Sequence, residues 1–315
     1  MNNTGRKEKC QDFLIKPTAK KKKIPKFIEF MGDKDLKLDR LKECGNFLSF
    51  ISNKDKTNFR LVGGNFCKNR FCPICSWLKA RKNAFEILEL LKAIEKKENK
   101  LFIFITLTVP NVVGSELRNK ITEMNISFKR LFQAEEFKAI NKGFIRKLEV
   151  TYNDERDDYH PHFHCLVAVN KSYFKSRDYL SKRRLLELWQ KATRDNSITQ
   201  VDIKPVRMNS IKEVMEIATY SAKQNELYSS KNVFDNFYEG LFRKKLITFN
   251  GLFKEYRKLQ ELKKLEIQDE ELESLKEKAS FELGYTWHIQ EYKEMFTKIL
   301  DEDERILYKI QIEIE

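Results

Sequence analysis

Three of the four histidines in the chain fall within five residues, in Tyr159-His160-Pro161-His162-Phe163-His164. Side chains alternate along a strand, so His162 and His164 share one face while Phe163 and Cys165 share the other. Two imidazoles at i and i+2 on a rigid strand are placed to hold one divalent metal ion. Lys147-Leu148-Glu149-Val150-Thr151 offers a third ligand, because Glu149 points away from its apolar neighbours Leu148 and Val150. If the two segments pair as a hairpin, Glu149 faces His164 when paired residue numbers sum to 313, and His162 when they sum to 311. Either register makes a His-His-carboxylate cluster. The plainer alternative is a surface strand with incidental histidines. His160, ahead of Pro161 at the strand entrance, fits an orienting or structural role.

A second constellation is Glu216-Ile217-Ala218-Thr219-Tyr220-Ser221-Ala222-Lys223. On a helix, Glu216 and Tyr220 are neighbours on one face and Lys223 lies one turn further on. A phenol is a poor nucleophile at its usual pKa of about 10. A nearby ammonium and a metal-bound phosphate would both favour the phenolate. The alternative is a core tyrosine with a solvent-facing glutamate.

The elements that must carry these residues follow from periodicity. Leu101 to Val109 is β-rich and stopped by Pro110, a buried strand. Ser115 is placed to cap a helix with Leu117, Ile121, Met124, Phe128 and Leu131 on one face. Gly143 to Tyr152 and His162 to Val169 form a hairpin around the acidic stretch 153–159. A helix after Ser181, a strand from Thr199 to Val206 and a helix from Lys212 to about Gln224 complete the series. The order β-α-β-β-α-β-α predicts an α+β fold with a central antiparallel sheet flanked by helices, not parallel βαβ units. Ahead of it, Ser76 reads as the N-cap of a helix running to about Asn99. Residues 1–43 read as a loosely ordered basic arm, 44–100 as a cysteine module and helix, 101–224 as the catalytic domain, and 225–315 as a helical, acidic C-terminal region.

Cys44, Cys67, Cys72 and Cys75 cluster in the sequence, with Gly63-Gly64 read as a hairpin-like break between them. Cys72-Pro73-Ile74-Cys75 followed by a helix resembles a zinc knuckle, with Cys44 as a distant fourth ligand, and four thiolates suit a closed structural site. Buried free thiols and a redox pair stay open as alternatives. The 315 residues carry a net charge of +14. Its distribution is uneven: 46 Lys and Arg against 27 Asp and Glu in residues 1–224, but 15 against 20 in residues 225–315. An anionic partner such as nucleic acid would therefore meet the N-terminal two thirds. Lys79, Lys82, Arg130, Lys171 and Lys223 are candidate phosphate contacts. No apolar run reaches the ~18 residues of a membrane span. No phosphate-binding GxxxxGK[ST] loop occurs, so the chain is not expected to run on ATP.

These residues resemble the single-tyrosine rolling-circle replication initiators of small Gram-positive plasmids, members of the HUH endonuclease superfamily. Phe104-Ile105-Thr106-Leu107-Thr108-Val109-Pro110-Asn111 is similar to the family's first motif, His160-Pro161-His162-Phe163-His164 to its metal motif, and Tyr220-Ser221-Ala222-Lys223 to its tyrosine motif. Glu216 stands in the place of the subfamily's catalytic glutamate. The resemblance is strongest over residues 101–224 and implies an HUH-type sheet. It also implies a cytoplasmic initiator that binds a plasmid double-strand origin. Mg2+ or Mn2+ held by His162 and His164 polarises a scissile phosphate. Tyr220 attacks it, giving a 5′-phosphotyrosine and a free 3′-OH. Host polymerase and helicase then act, and Glu216 activates a terminating water. A homodimer is compatible with this. An HUH relaxase or transposase would share the chemistry. A zinc-bearing DNA-binding regulator would explain the charge and the cysteines without catalysis.

Overall fold

The computed structural model describes residues 12–34, 38–57, 59–206, 211–218, 224–263, 279–301 and 304. Along the chain these form α1 (Asp12–Lys21), α2 (Ile24–Met31), α3 (Leu38–Glu43), β1 (Phe47–Ser52), β2 (Phe59–Gly64) and α4 (Pro73–Glu98). They continue as β3 (Lys100–Thr108), α5 (Leu117–Gln133), α6 (Glu135–Ile140), β4 (Gly143–Asn153), β5 (Asp158–Asn170), α7 (Lys182–Thr193), β6 (Val201–Pro205) and α8 (Ile211–Ala218). Then come α9 (Gln224–Leu227), α10 (Lys231–Leu241), β7 (Ile247–Gly251), α11 (Leu252–Lys263), β8 (Phe281–His288) and β9 (Glu291–Ile299). The chain divides into two units, residues 1–76 with 260–315, and residues 77–259.

The second unit is built on a five-stranded antiparallel sheet in the order β6-β3-β5-β4-β7. The three strands that carry the site, β3, β5 and β4, are adjacent, and β5 is central. One sheet face presents Phe102 and Phe104 of β3, Ile145 of β4, and Leu166 and Ala168 of β5. It is covered by Ile87, Leu91 and Ile94 of α4, Val214 and Ile217 of α8, and Phe253 of α11. The opposite face packs against α5 through Phe128, whose ring meets Phe144 and Phe163 edge-on. Ser181 caps α7 as the spacing predicts, accepting from the backbone N–H of Arg184. Two expected starts differ. The chain enters α5 through a 3-10 turn at Gly114–Glu116 without a side-chain cap. Helix α4 begins at Pro73, so Ser76 lies inside its first turn; a proline at the first position loses no helical hydrogen bond.

The first unit holds a second antiparallel sheet, β2-β1-β8-β9. Its core gathers Leu14, Leu48, Phe50, Leu283, Tyr285 and Tyr292. Three expectations are corrected here. The described part of the basic arm is not loose but forms α1, α2 and α3, because Ile24, Phe27, Phe30 and Met31 repeat at helical spacing and are buried. The β1–β2 hairpin turns at Asn53, whose side-chain oxygen accepts from the Thr57 N–H, while Gly63 and Gly64 lie within β2 opposite Ser49 and Leu48. Residues 225–315 are not uniformly helical. Beside α10 and α11, which their apolar spacing predicts, they supply β7 to the five-stranded sheet and β8 and β9 to the other. No helix among the described residues is long and apolar enough to cross a membrane.

Candidate functional site

Strand alternation changes character along one sheet face. After the apolar stretch containing Leu166 and Ala168, the same face of β5 presents His164 and His162. The β4–β5 hairpin takes the register in which Glu149 pairs with His162 and Lys147 with His164. On the other side, β3 places Thr106 beside His164 and Thr108 beside His162. A row of polar groups thus ends an otherwise apolar sheet face.

The geometry aims three ligand atoms at one point. Nε2 of His162 and Nε2 of His164 are 3.1 Å apart, and Oε2 of Glu149 lies 3.4 Å from His164 Nε2. Two ligand atoms at about 2.1 Å on perpendicular axes of one ion stand about 3.0 Å apart, so the pair has the bite of a metal site. The His162 tautomer agrees. His162 Nδ1 donates to the carbonyl of His160 at 3.1 Å, which leaves its Nε2 lone pair facing inward. His160 therefore orients a ligand through its main chain. His164 turns Nδ1 to Thr106 Oγ1 at 3.3 Å and to Glu216 Oε1 at 3.6 Å. Nε2 of His162, Nε2 of His164 and a Glu149 carboxylate oxygen thus converge at ligand spacing, and the donor set fits a divalent ion. Two imidazole nitrogens and one carboxylate oxygen, with no thiolate, form a set that divalent metal ions accept.

Lys147 completes this environment, and the sequence reading missed it. Its side chain has no exposed surface, and its ammonium donates to Glu149 Oε2 at 2.6 Å and to the Glu216 carbonyl at 2.6 Å. Burial pushes the Glu149 carboxyl up, but the contact with His164 and the Lys147 ammonium together outweigh it and hold it down at about 2. Burial, helped by His164, lowers His162 to about 4, so its imidazole is neutral and free to ligate near neutral pH. A charged pair on one face of a strand otherwise bound for the core was the available signal.

Of the other expected residues, Glu216 sits on α8, half-buried and beside His164. Tyr220 and Lys223 lie outside the described residues. Lys79 and Lys82 are exposed on α4. Lys171, also exposed, donates to Asn99 Oδ1, and Arg130 donates to the Ala192 carbonyl near the C-terminus of α7. The expected cysteines do come together, in the first unit. Sγ of Cys44 is 3.5 Å from Cys72 and 3.6 Å from Cys75, and Cys67 is 3.7 Å from Cys75. Zinc–sulfur bonds of about 2.3 Å set tetrahedron edges of about 3.8 Å, close to these spacings. A disulfide needs about 2.05 Å, and the four are free thiols. Gly45, at φ +72° where a Cβ would collide with Ile74, lets the chain turn from Cys44 into β1.

The profile of a family described as "Replication protein" matches residues 58–296. A "Protein rep" of Staphylococcus aureus is 43% identical over 222 residues, covering 70% of this chain and 97% of the relative. A "Protein rep" of Streptococcus pneumoniae is 35% identical over 251 residues, 78% of each chain, and one of Bacillus amyloliquefaciens is 32% identical over 284 residues, 80% of this chain and 82% of the relative. No solved structure matches. With its matched region spanning most of the chain, the whole five-stranded sheet and three of the four clustered cysteines, the protein belongs to the replication protein family.

Proposed function

We propose that this protein initiates rolling-circle replication of a plasmid, binding the double-strand origin and nicking one strand with Tyr220 as nucleophile. The observation that carries the reading is the convergence of Glu149, His162 and His164 at one end of a sheet face in a chain of this family. Held by those three residues, Mg2+ or Mn2+ would supply Lewis-acid polarisation of the scissile phosphate. The Tyr220 oxygen forms the new bond to phosphorus, the bond to the 3′ oxygen breaks, and the phenolic proton leaves to solvent. The products are a 5′-phosphotyrosine and a 3′-OH that host polymerase extends behind a host helicase in the cytoplasm. One phosphate ester replaces another, so the step needs no ATP. Glu216 takes the proton from a water that ends the cycle by hydrolysis.

Lys79 and Lys82, both exposed on α4, are the phosphate contacts we favour among the basic candidates. Lys223 follows Tyr220 in the chain and serves its phosphate. Zinc held by Cys44, Cys67, Cys72 and Cys75 stabilises the first unit and takes no part in the chemistry.

Supercoiled plasmid carrying the cognate origin, incubated with the protein and Mg2+ or Mn2+, tests the reading. The expected products are open circles and a DNA adduct that mass spectrometry locates on Tyr220. Tyr220→Phe abolishes nicking, roughly a thousandfold or more, and leaves origin binding within a few-fold. An undiminished adduct in that variant would remove Tyr220 from the mechanism. A relaxase or transposase would nick a transfer origin or element end instead, and a regulator would leave the plasmid intact.

A further inference from the structure

The buried ammonium of Lys147 is bound to the very oxygen that Glu149 turns toward His164. Glu149 Oε2 accepts from Lys147 at 2.6 Å and lies 3.4 Å from His164 Nε2. Lys147 and Glu149 are two apart on β4, on the same sheet face, so the backbone itself builds the pair into the site. The ammonium also donates to the Glu216 carbonyl, and the lysine side chain has no exposed surface. The ammonium therefore has no solvent position to retreat to when an ion arrives.

We propose that Lys147 is a built-in counter-cation that competes with the metal for Glu149, so that the Glu149–His162–His164 site takes its divalent ion loosely and exchangeably. This rests on the reading of that trio as a metal site. Groups behind a metal ligand normally raise affinity by accepting a hydrogen bond from it or by orienting it, and losing one costs about 10–100-fold. Lys147 also orients Glu149, but it does so as an ammonium held 2.6 Å from the carboxylate oxygen. Glu149 is the one carboxylate among the three ligands, and Lys147 offsets it. The ion must then bind to three ligands whose one negative charge is already paired, with the Glu216 carboxylate on the far side of His164, while a cation stands one ligand atom away. Repulsion at that range in a protein interior is several-fold stronger than in water. In exchange, the trio stays assembled when no metal is present, because the carboxylate already has its partner. Occupancy follows the free Mg2+ or Mn2+ concentration instead of being locked in at folding.

The two roles of Lys147 predict opposite signs, which makes the proposal testable by Mn2+ binding alone. Titrations of the full-length, zinc-loaded protein, read by calorimetry and by Mn2+ electron paramagnetic resonance, compare three variants with wild type. Lys147→Met is expected to tighten Mn2+ about tenfold or more. Lys147→Gln, which keeps a donor near Glu149 but no charge, tightens it as well, and Lys147→Arg, which keeps the charge, does not. Removing one partner of a buried ion pair leaves the other uncompensated, so the metal-free Met variant melts lower. Added Mn2+ then raises its melting temperature by more than it raises that of wild type. Unchanged or weaker Mn2+ binding in both Met and Gln variants overturns the proposal and leaves Lys147 as an orienting residue only. A His162→Ala/His164→Ala control separates the two levels. If it binds Mn2+ as wild type does, the metal-site reading itself fails. If it loses Mn2+ while Lys147→Gln binds no tighter, only the counter-cation proposal fails.

Discussion

The cysteine cluster and the histidine cluster each gather metal-type donors in a protein interior, and each has a buried lysine beside it. The lysines do different things. Lys21 donates to the Cys44 carbonyl at 2.7 Å and to Asn46 Oδ1 at 2.6 Å, so it braces the chain around the ligands and leaves the four sulfurs facing one another. Lys147 donates to a ligand atom. The donor sets differ in the same direction. Four cysteine sulfurs close a tetrahedron and, deprotonated on a metal, would carry excess negative charge. Two neutral imidazoles and one paired carboxylate leave positions open and carry little. A closed four-sulfur set suits a structural ion, and an open, nearly neutral set suits the phosphate chemistry proposed above.

The largest effects should cross between the two sites. Cys72→Ala removes a fully buried ligand. Structural zinc is worth on the order of 10 kcal/mol in small domains, which is comparable with the whole stability of a domain. The expected outcome is loss of the bound zinc and rapid proteolysis of residues 12–76, with residues 77–259 still protected. His162→Ala/His164→Ala should do the reverse: full zinc, a melting temperature within a few degrees of wild type, and nicking reduced by roughly a thousandfold or more. If the histidine variant also lost its zinc, or the cysteine variant nicked normally without it, the division of labour would be wrong.

Glu216→Ala comes next. Its carboxylate lies 3.6 Å from His164 Nδ1, on the side away from the ligand atom. A general base contributes about 10²–10⁴-fold, so termination should fall by about a hundredfold while the first nick through Tyr220 persists. On a plasmid with two tandem origins, products longer than one unit should accumulate. Glu216→Tyr should restore strand transfer and permit repeated rounds. Unit-length circles released as efficiently as by wild type would leave Glu216 as a partner of His164 and nothing more.

How much of this was legible in the sequence differs between the two clusters for a physical reason. The alternation of His162 and His164 and the outward turn of Glu149 follow from the two-residue period of a strand, which no tertiary context can alter. The choice between registers could not be read, because it is settled by how the Asp154–Asp157 turn closes and by pairing along the whole of β4 and β5. Lys147 was missed because a lysine in a strand ordinarily marks an exposed position; here its partner is two residues away on the same face. In the first unit, runs such as Lys20-Lys21-Lys22-Lys23 hid the helical repeat of Leu14, Ile24, Phe27 and Phe30. Strands β8 and β9 were hidden in turn by the dense charge around them, and by edge positions on β9 that leave most of its side chains exposed.

Acid should separate the sites more gently. A buried imidazole held at about 4, against about 6.5 in an unfolded chain, binds fewer protons folded than unfolded between those values. The contribution of His162 is therefore complete above about pH 6.5 and is lost as pH falls toward 4. The Glu149 carboxyl, held at about 2, adds a loss of the same sign below about pH 4.5. Metal-free protein should lose on the order of 2 kcal/mol from the second unit between pH 6.5 and 5, read by hydrogen exchange of peptides from residues 77–259. His162→Ala should flatten that slope. A slope unchanged in the variant would mean that other groups dominate the acid response.

The smallest effect expected is that of Lys21→Met, and it bears most directly on the contrast between the two lysines. Lys21 is 5% exposed, and burial lowers its pKa, opposed chiefly by the cysteines nearby. Its hydrogen bonds go to the buried Cys44 carbonyl and the half-buried Asn46 amide oxygen, so its loss costs about 1–3 kcal/mol at the carbonyl if no water reaches it. Methionine fills most of the vacated volume, which limits any cavity. The sulfurs keep their geometry, since the backbone turn at Cys44 is also held by Gly45, whose carbonyl accepts from the Tyr292 hydroxyl at 2.7 Å. Lys21→Met should therefore lower the melting temperature of the first unit by a few degrees, keep one zinc per chain through gel filtration, and leave Mn2+ binding at the histidine cluster unchanged. Loss of zinc comparable to that in Cys72→Ala would place Lys21 among the groups that hold the metal, and the two buried lysines would then differ in degree and not in kind.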